Sequence, residues 1–135
     1  MNDFSEDFVY LEDSSYEYKG LIFYGSPWVP ALSNWAFYGK DDQRREMWKL
    51  IPSNVDFLIT HVPPFGILDN SRSIDGLGCK YLAEMVKETK PKVHCFGHVH
   101  ASYGNQTVDD TLFINASQVT RNGSMNSPFE LEIQQ

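Results

Sequence analysis

Three of the four histidines in this chain come directly after short apolar segments. His61 follows residues 55–60, and His98 and His100 follow residues 92–97 in the pattern Gly-His-Val-His. Imidazole nitrogens are the commonest protein ligands of transition metals. In a His-x-His pair on extended backbone, both rings point to the same side. The three histidines therefore predict a site for a divalent metal ion.

A strand–helix–strand unit is predicted around these histidines. Residues 55–60 and 92–97 are nearly continuous apolar runs, which are typical of strands buried on both faces. Residues 78–90 carry apolar side chains at helical spacing, and Pro91 ends that pattern. Such βαβ units place their strands parallel, so that both carboxyl ends lie at the edge where open α/β sheets bind ligands. The topology thus predicts that the histidines following the two strands meet.

The remaining secondary structure is predicted from turn residues and from alternating hydrophobicity. We expect strands at residues 8–11, 102–107, 111–115 and 129–133, a turn at residues 109–110 and a helix over residues 43–50. Residues 16–24 are expected to form either one further strand or a hairpin with Gly20 in its turn. Residues 1–135 together are expected to form a single domain of mixed α/β class.

Composition argues against several classes of function. The net charge is −7, and nonspecific binding to duplex nucleic acid requires clustered lysine and arginine instead. The sequence has neither a signal-peptide pattern nor an apolar run long enough to span a bilayer. Its two cysteines do not form a Cys-x-x-Cys pair, which favours reduced thiols. We therefore expect a cytoplasmic protein that does not associate with membranes.

Several further polar residues have both an ordinary and a functional interpretation. His94 lies within a predicted strand, and we expect it to be a core or sheet-face residue. Asp69 and Asp75 lie in a polar loop, where carboxylates usually stabilise turns. Arg72 in the same loop is a candidate for contact with a substrate phosphate, with a solvated surface position as the alternative. Cys95 is expected to be a small core residue.

Two motifs resemble those of a known enzyme family. Residues 56–64, which end in Thr-His-Val-Pro-Pro, and the segment Gly97-His98-Val99-His100 resemble the last two metal-binding motifs of calcineurin-like metallophosphoesterases. The resemblance is closer still to the branch named metallophosphoesterase domain-containing proteins, and it extends over most of the chain through residues 21–28, 48–52, 91–94, 103–104 and 113–117.

The resemblance implies a two-metal site on a sandwich of two β-sheets flanked by helices. His61 and His98 would bind one ion and His100 the other, with manganese as the expected ion and zinc or iron as alternatives. The implied activity is a phosphodiesterase-type hydrolysis of small phosphate esters such as cyclic nucleotides. Asn115 and Ser117 resemble family positions close to the site. We expect Asn115 to bind substrate together with Arg72, with turn formation as the alternative for Asn115 and Ser117.

The chain also departs from the family pattern. Three motifs that precede these in the family, Asp-x-His, Gly-Asp-x-x-Asp and Gly-Asn-His, are not found in this sequence. We therefore expect the C-terminal half of a metallophosphoesterase domain, incomplete as an enzyme by itself. The alternative is a non-catalytic remnant or interaction module with a partial or mononuclear metal site. Expected partners are a phosphate ester substrate and either a second copy of the chain or a separate N-terminal half.

Overall fold

Four parallel strands form the centre of a six-stranded sheet in the computed structural model, which describes residues 8–30 and 34–134. The strand order is β1-β2-β3-β4-β6-β5, and the two edge strands, β1 and β5, are antiparallel to their neighbours. The elements are β1 (Ser14–Tyr18), β2 (Leu21–Ser26), α1 (Asp41–Trp48), β3 (Phe57–Thr60), α2 (Lys80–Thr89), β4 (Val93–Phe96), a 3₁₀ turn (His100–Ser102), β5 (Gly104–Val108) and β6 (Thr111–Asn115). The predicted α/β class is confirmed.

The predicted βαβ unit is present as β3-α2-β4, with its two strands parallel and adjacent. One side of α2 is buried, and it carries Leu82 and Val86. The helix ends at Thr89, and the next residue, Lys90, adopts a left-handed conformation with φ of 48° just before Pro91. Proline disfavours helical backbone in the residue before it, which explains this end. A second parallel connection, from β2 through α1 to β3, places another strand in the same direction.

The two faces of the sheet differ in what covers them. Both helices pack on one face, where Trp48, Leu58 and Leu82 are fully buried. The second face carries a smaller cluster built on Phe57, Val93 and Ile114. This alternation follows from the pleat, since successive side chains of a strand point to opposite faces.

Two predicted strands are wrong. Residues 8–11 do not pair with the sheet edge, and Leu11 instead lies across Gly25 of β2, whose missing side chain leaves room for it. Residues 129–133 also form no strand. Phe129 packs its ring against the second face instead, and the centroid of the Tyr103 ring lies 5.0 Å from that of Phe129. The hairpin with Gly20 in its turn is confirmed. The described residues form one sheet, not the two sheets of a sandwich.

His94 on β4 is a core residue, as expected. Its ring is fully buried between Phe96 and Phe113, with ring centroids 5.0 and 5.8 Å away. Its Nε2 lies 2.9 Å from Oγ1 of Thr60, and this hydroxyl donates to the carbonyl of Val62 at 2.7 Å. The hydroxyl has a single proton, so it must accept from Nε2–H of a neutral imidazole. Burial lowers the pKa of His94 to about 3.

The buried His94 predicts a specific loss of stability in acid. The unfolded chain takes up the proton near pH 6.5, whereas the folded chain takes it up only near pH 3. The contribution of His94 to the free energy of unfolding is therefore fully present above about pH 6.5. It falls by up to about 1.4 kcal/mol per pH unit as the pH is lowered between these values. Urea unfolding across this range checks it, with His94→Gln as the comparison. The wild-type slope minus the variant slope isolates the histidine, and identical slopes would contradict the prediction.

Candidate metal centre

Two histidine rings meet at the carboxyl edge of the parallel strands. β3 ends at Thr60 and β4 at Phe96, and the pairing continues one step further because the Gly97 N–H donates to the His61 carbonyl at 3.0 Å. Nε2 of His61 then lies 3.2 Å from Nδ1 of His98. The ring centroids are 5.1 Å apart, with an interplanar angle of 64°. The predicted convergence of these two side chains is present in the structure.

A strained turn directs the ring of His98 towards His61. The backbone of His98 has a φ of 66°, in the left-handed region that non-glycine residues rarely adopt. The Val99 N–H donates across it to the Gly97 carbonyl at 2.7 Å. Such a three-residue turn with a positive central φ is rare and strained. The expected extended His-x-His backbone is therefore wrong, because the strand has already ended and the chain reverses within this turn.

His100 occupies a different position from the other two histidines. It is exposed and begins the 3₁₀ turn. Within residues 8–30 and 34–134, no three His, Cys, Asp or Glu side chains are grouped closely enough to hold one ion. The described site is thus a pair of histidines with His100 nearby, and the metal-binding roles of all three stay predictions.

Burial and neighbouring histidines favour the neutral form of the paired imidazoles. Desolvation lowers the pKa of His61, and the charge of His100 lowers it further. Desolvation also lowers the pKa of His98, with additional contributions from His61 and His100. A metal-binding histidine must present an unprotonated nitrogen. Both shifts therefore favour the form of the ring that binds a cation.

The two ring nitrogens have the separation expected of two ligands on one ion. Imidazole nitrogens bound at the usual distance from a tetrahedral zinc ion stand about 3.3 Å apart. The 3.2 Å between Nε2 of His61 and Nδ1 of His98 matches this separation. The pair therefore fits two positions in the coordination sphere of a divalent ion, and the remaining positions require other donors.

The loop after His61 is closed at its base and held by a buried carboxylate. Cys79 pairs with the chain at Pro63 and Phe65 through two backbone hydrogen bonds of 2.9 and 3.1 Å. Asp69 is 2% exposed, and its Oδ2 accepts from the backbone N–H groups of Gly66 and Gly78 at 2.8 and 2.9 Å. This agrees with the expected turn-forming role of Asp69.

The same loop is joined by hydrogen bonds to the 3₁₀ turn that begins at His100. The Ser102 hydroxyl donates to the Asn70 carbonyl at 2.6 Å and accepts from its N–H at 3.0 Å. Sequence reasoning missed Ser102, since nothing in its local pattern indicates a contact this distant in the chain. Arg72 is exposed on the loop and forms no ion pair with the described part of the chain. Asn115 is fully buried at the end of β6.

The chain is similar in sequence to part of several longer proteins. UPF0046 protein T07D4.2 of Caenorhabditis elegans is 40% identical over 134 residues, which cover 97% of this chain and 34% of that protein. Metallophosphoesterase domain-containing protein 1 of Homo sapiens is 38% identical over 129 residues, covering 93% of this chain and 40% of that protein. The resemblance to the metallophosphoesterase domain-containing branch is confirmed. No family model matches the chain.

This metallophosphoesterase-like chain spans little more than a third of the length of these relatives, 34% and 40%. A solved crystal structure aligns with a TM-score of 0.61 at 18% identity, covering 79% of this chain and 45% of the other. That likeness supports the α/β fold. No helix in the described ranges is long and apolar enough to cross a bilayer.

The closed base of the loop predicts a strong effect at Gly78. A Cβ there would collide with the Pro64 carbonyl and lie 2.6 Å from the backbone nitrogen of Phe65. Backbone atoms cannot move aside cheaply, so Gly78→Ala is expected to lower the free energy of unfolding by about 3 kcal/mol. Gly20→Ala is the control, since Gly20 has open space around it and a φ of 75°, and it should cost about 1 kcal/mol. Urea unfolding measures both, and equal losses would contradict the prediction.

Proposed function

We propose that this chain supplies histidine ligands to a metallophosphoesterase centre that hydrolyses small phosphate esters, with diesters such as cyclic nucleotides as the substrate class. The observation that carries the proposal is the 3.2 Å approach of His61 Nε2 and His98 Nδ1 at the carboxyl edge of the parallel strands. The names of the relatives support the general class of activity. The substrate, the ion and turnover by this chain are part of the proposal.

In this proposal each residue has a separate role. His61 and His98 hold one divalent ion, and His100 contributes to a second, with manganese as the proposed ion and zinc or iron as alternatives. A bound divalent ion supplies Lewis-acid polarisation of a phosphoryl oxygen and a more acidic water. The pKa values of His61 and His98 are lowered, which favours the neutral form of each ring that binds a cation. Exposed Arg72 is free to contact a phosphate oxygen of the substrate.

Removing one ring of the pair tests the proposal. His98→Ala is expected to lower the affinity for Mn²⁺ and Zn²⁺ at least tenfold, because one of two converging nitrogens is lost. Hydrolysis of bis(p-nitrophenyl) phosphate should fall with it. Equilibrium dialysis with elemental analysis measures the first, and release of p-nitrophenol the second.

Two further variants give this experiment its controls. Lys87→Ala changes an exposed residue of α2 that lies outside the histidine pair, so it should leave both readouts unchanged. His100→Ala reports whether the third histidine contributes to the number of ions bound. Wild-type protein that binds neither metal would overturn the proposal.

A non-catalytic metal-binding module is the second candidate. The specific observation in its favour is that no group of three metal-binding side chains is present in the described ranges. Two imidazoles alone leave most of a coordination sphere to other donors. Metal binding that depends on His98 without hydrolysis of mono- or diesters would select this candidate over the first.

We also propose that the chain functions in association with further polypeptide. The second face of the sheet supports this, because Tyr16 and Tyr18 of β1 and Ile59 of β3 are 42%, 52% and 44% exposed there. Apolar side chains grouped on one face indicate an interaction surface. A second copy of the chain is the simplest partner to test, by light scattering, and a strictly monomeric protein would count against it.

A cytoplasmic location is also part of the proposal. Cys79 and Cys95 form no disulfide bond, which is consistent with that location.

A further inference from the structure

The amide of Asn115 connects both loops that carry the paired histidines. Its Nδ2 donates to the Val99 carbonyl at 2.8 Å and to the Leu68 carbonyl at 3.1 Å. Val99 follows His98 directly, and Leu68 lies in the loop that follows His61. A single buried side chain therefore binds the backbone on both sides of the candidate site.

The other end of the amide is also fully engaged. Oδ1 of Asn115 accepts from the backbone N–H of Ser117 at 3.2 Å and from its hydroxyl at 2.7 Å. An asparagine side chain has two N–H protons and two acceptor positions. All four are used within the protein, which leaves none for a substrate. The geometry therefore favours an indirect role for Asn115 over the substrate contact that the family resemblance implied.

The two carbonyls that Asn115 binds belong to strained stretches of backbone. Leu68 has a φ of 48°, and His98, just before Val99, has a φ of 66°. Left-handed backbone is unfavourable for both residue types and persists only where neighbouring contacts impose it. Two hydrogen bonds from one rigid, buried amide are contacts of this kind. The anchor itself is fixed, because β6 pairs with β4 and the Ala116 N–H donates to the Phe96 carbonyl at 2.7 Å.

From this arrangement we propose that Asn115 is a positioning residue that holds the two loops so that the rings of His61 and His98 meet. This inference rests on the proposed metal-binding function. The role requires two donors at one end and an acceptor at the other, which leucine lacks entirely and aspartate supplies only in part. Removing the donors releases the Val99 turn and the Leu68 loop without touching either histidine.

The variant Asn115→Leu tests the proposal, because it keeps the size and neutrality of the side chain and removes both donors. Its affinity for Zn²⁺, measured by equilibrium dialysis, is expected to fall at least tenfold. The ring ¹⁵N and ¹H NMR signals of His61 and His98 in metal-free protein should also move, since the contact between the two rings is lost. Retained affinity and unchanged ring signals would overturn the proposal.

The control is Leu82→Ala, which removes an equally buried side chain from α2, outside both loops. It lowers the free energy of unfolding but should leave the Zn²⁺ affinity of the folded protein and the histidine signals unchanged. A purely structural role for Asn115 would make the two variants alike in both readouts, and that result would overturn the proposal.

Misfolding of Asn115→Leu and the absence of metal binding by the wild-type chain each have a further test. If Asn115→Leu does not fold, Asn115→Asp keeps the acceptor for Ser117. Its carboxyl is buried and faces two carbonyl oxygens, which favours the protonated form, so it can donate to only one of them. A fall in Zn²⁺ affinity would support the proposal, and unchanged affinity with unchanged ring signals would overturn it. If the wild-type chain binds neither Mn²⁺ nor Zn²⁺, the proposed function fails. The histidine signals of metal-free protein then still decide whether Asn115 positions the rings.

Discussion

The candidate site depends on the parallel pairing of β3 with β4 and on its extension by one hydrogen bond, from Gly97 N–H to the His61 carbonyl at 3.0 Å. Parallel strands end at the same edge of a sheet, so the pairing brings together two segments that are distant in sequence. The added bond then fixes His61 opposite Gly97, which are the first residues beyond the two strands. Without it, the turn at His98 would have no fixed relation to His61, and the 3.2 Å approach of their nitrogens would have no structural cause.

Strain and anchoring are balanced around this edge. A left-handed residue costs about 1–2 kcal/mol, and a buried hydrogen bond returns about 1 kcal/mol net. The two strained positions, Leu68 and His98, are matched by the two bonds that Asn115 donates and by the bond that closes the turn. These terms are of similar size, so the polar network contributes little to stability and mainly selects one conformation. Pre-organisation of this kind is what a pair of metal ligands requires.

The part of the fold that periodicity and turn residues encode could be predicted from the sequence. The apolar runs and Pro91 gave the βαβ unit, and Gly20 gave the hairpin turn. Residues 8–11 and 129–133 were misassigned because one apolar side chain of each, Leu11 and Phe129, packs against the sheet, and a local pattern does not separate this from pairing at an edge. The role of Asn115 could not be found either. Its contact with Leu68 joins residues 47 positions apart, and its polarity alone indicated only a turn or a ligand.

The two kinds of histidine in this chain show what distinguishes a candidate ligand from a core residue. His94 and His98 lie on the same strand-and-turn segment, and desolvation lowers the pKa of both. A lowered pKa therefore does not identify the functional residue. His94 is enclosed by Phe96 and Phe113 and bonds only to Thr60, so no cation can reach its nitrogens. His98 differs because it lies beyond the end of the strand, where a left-handed turn directs its ring against that of His61. Convergence of two ring nitrogens at an accessible edge is the feature that distinguishes the candidate ligand from the core residue.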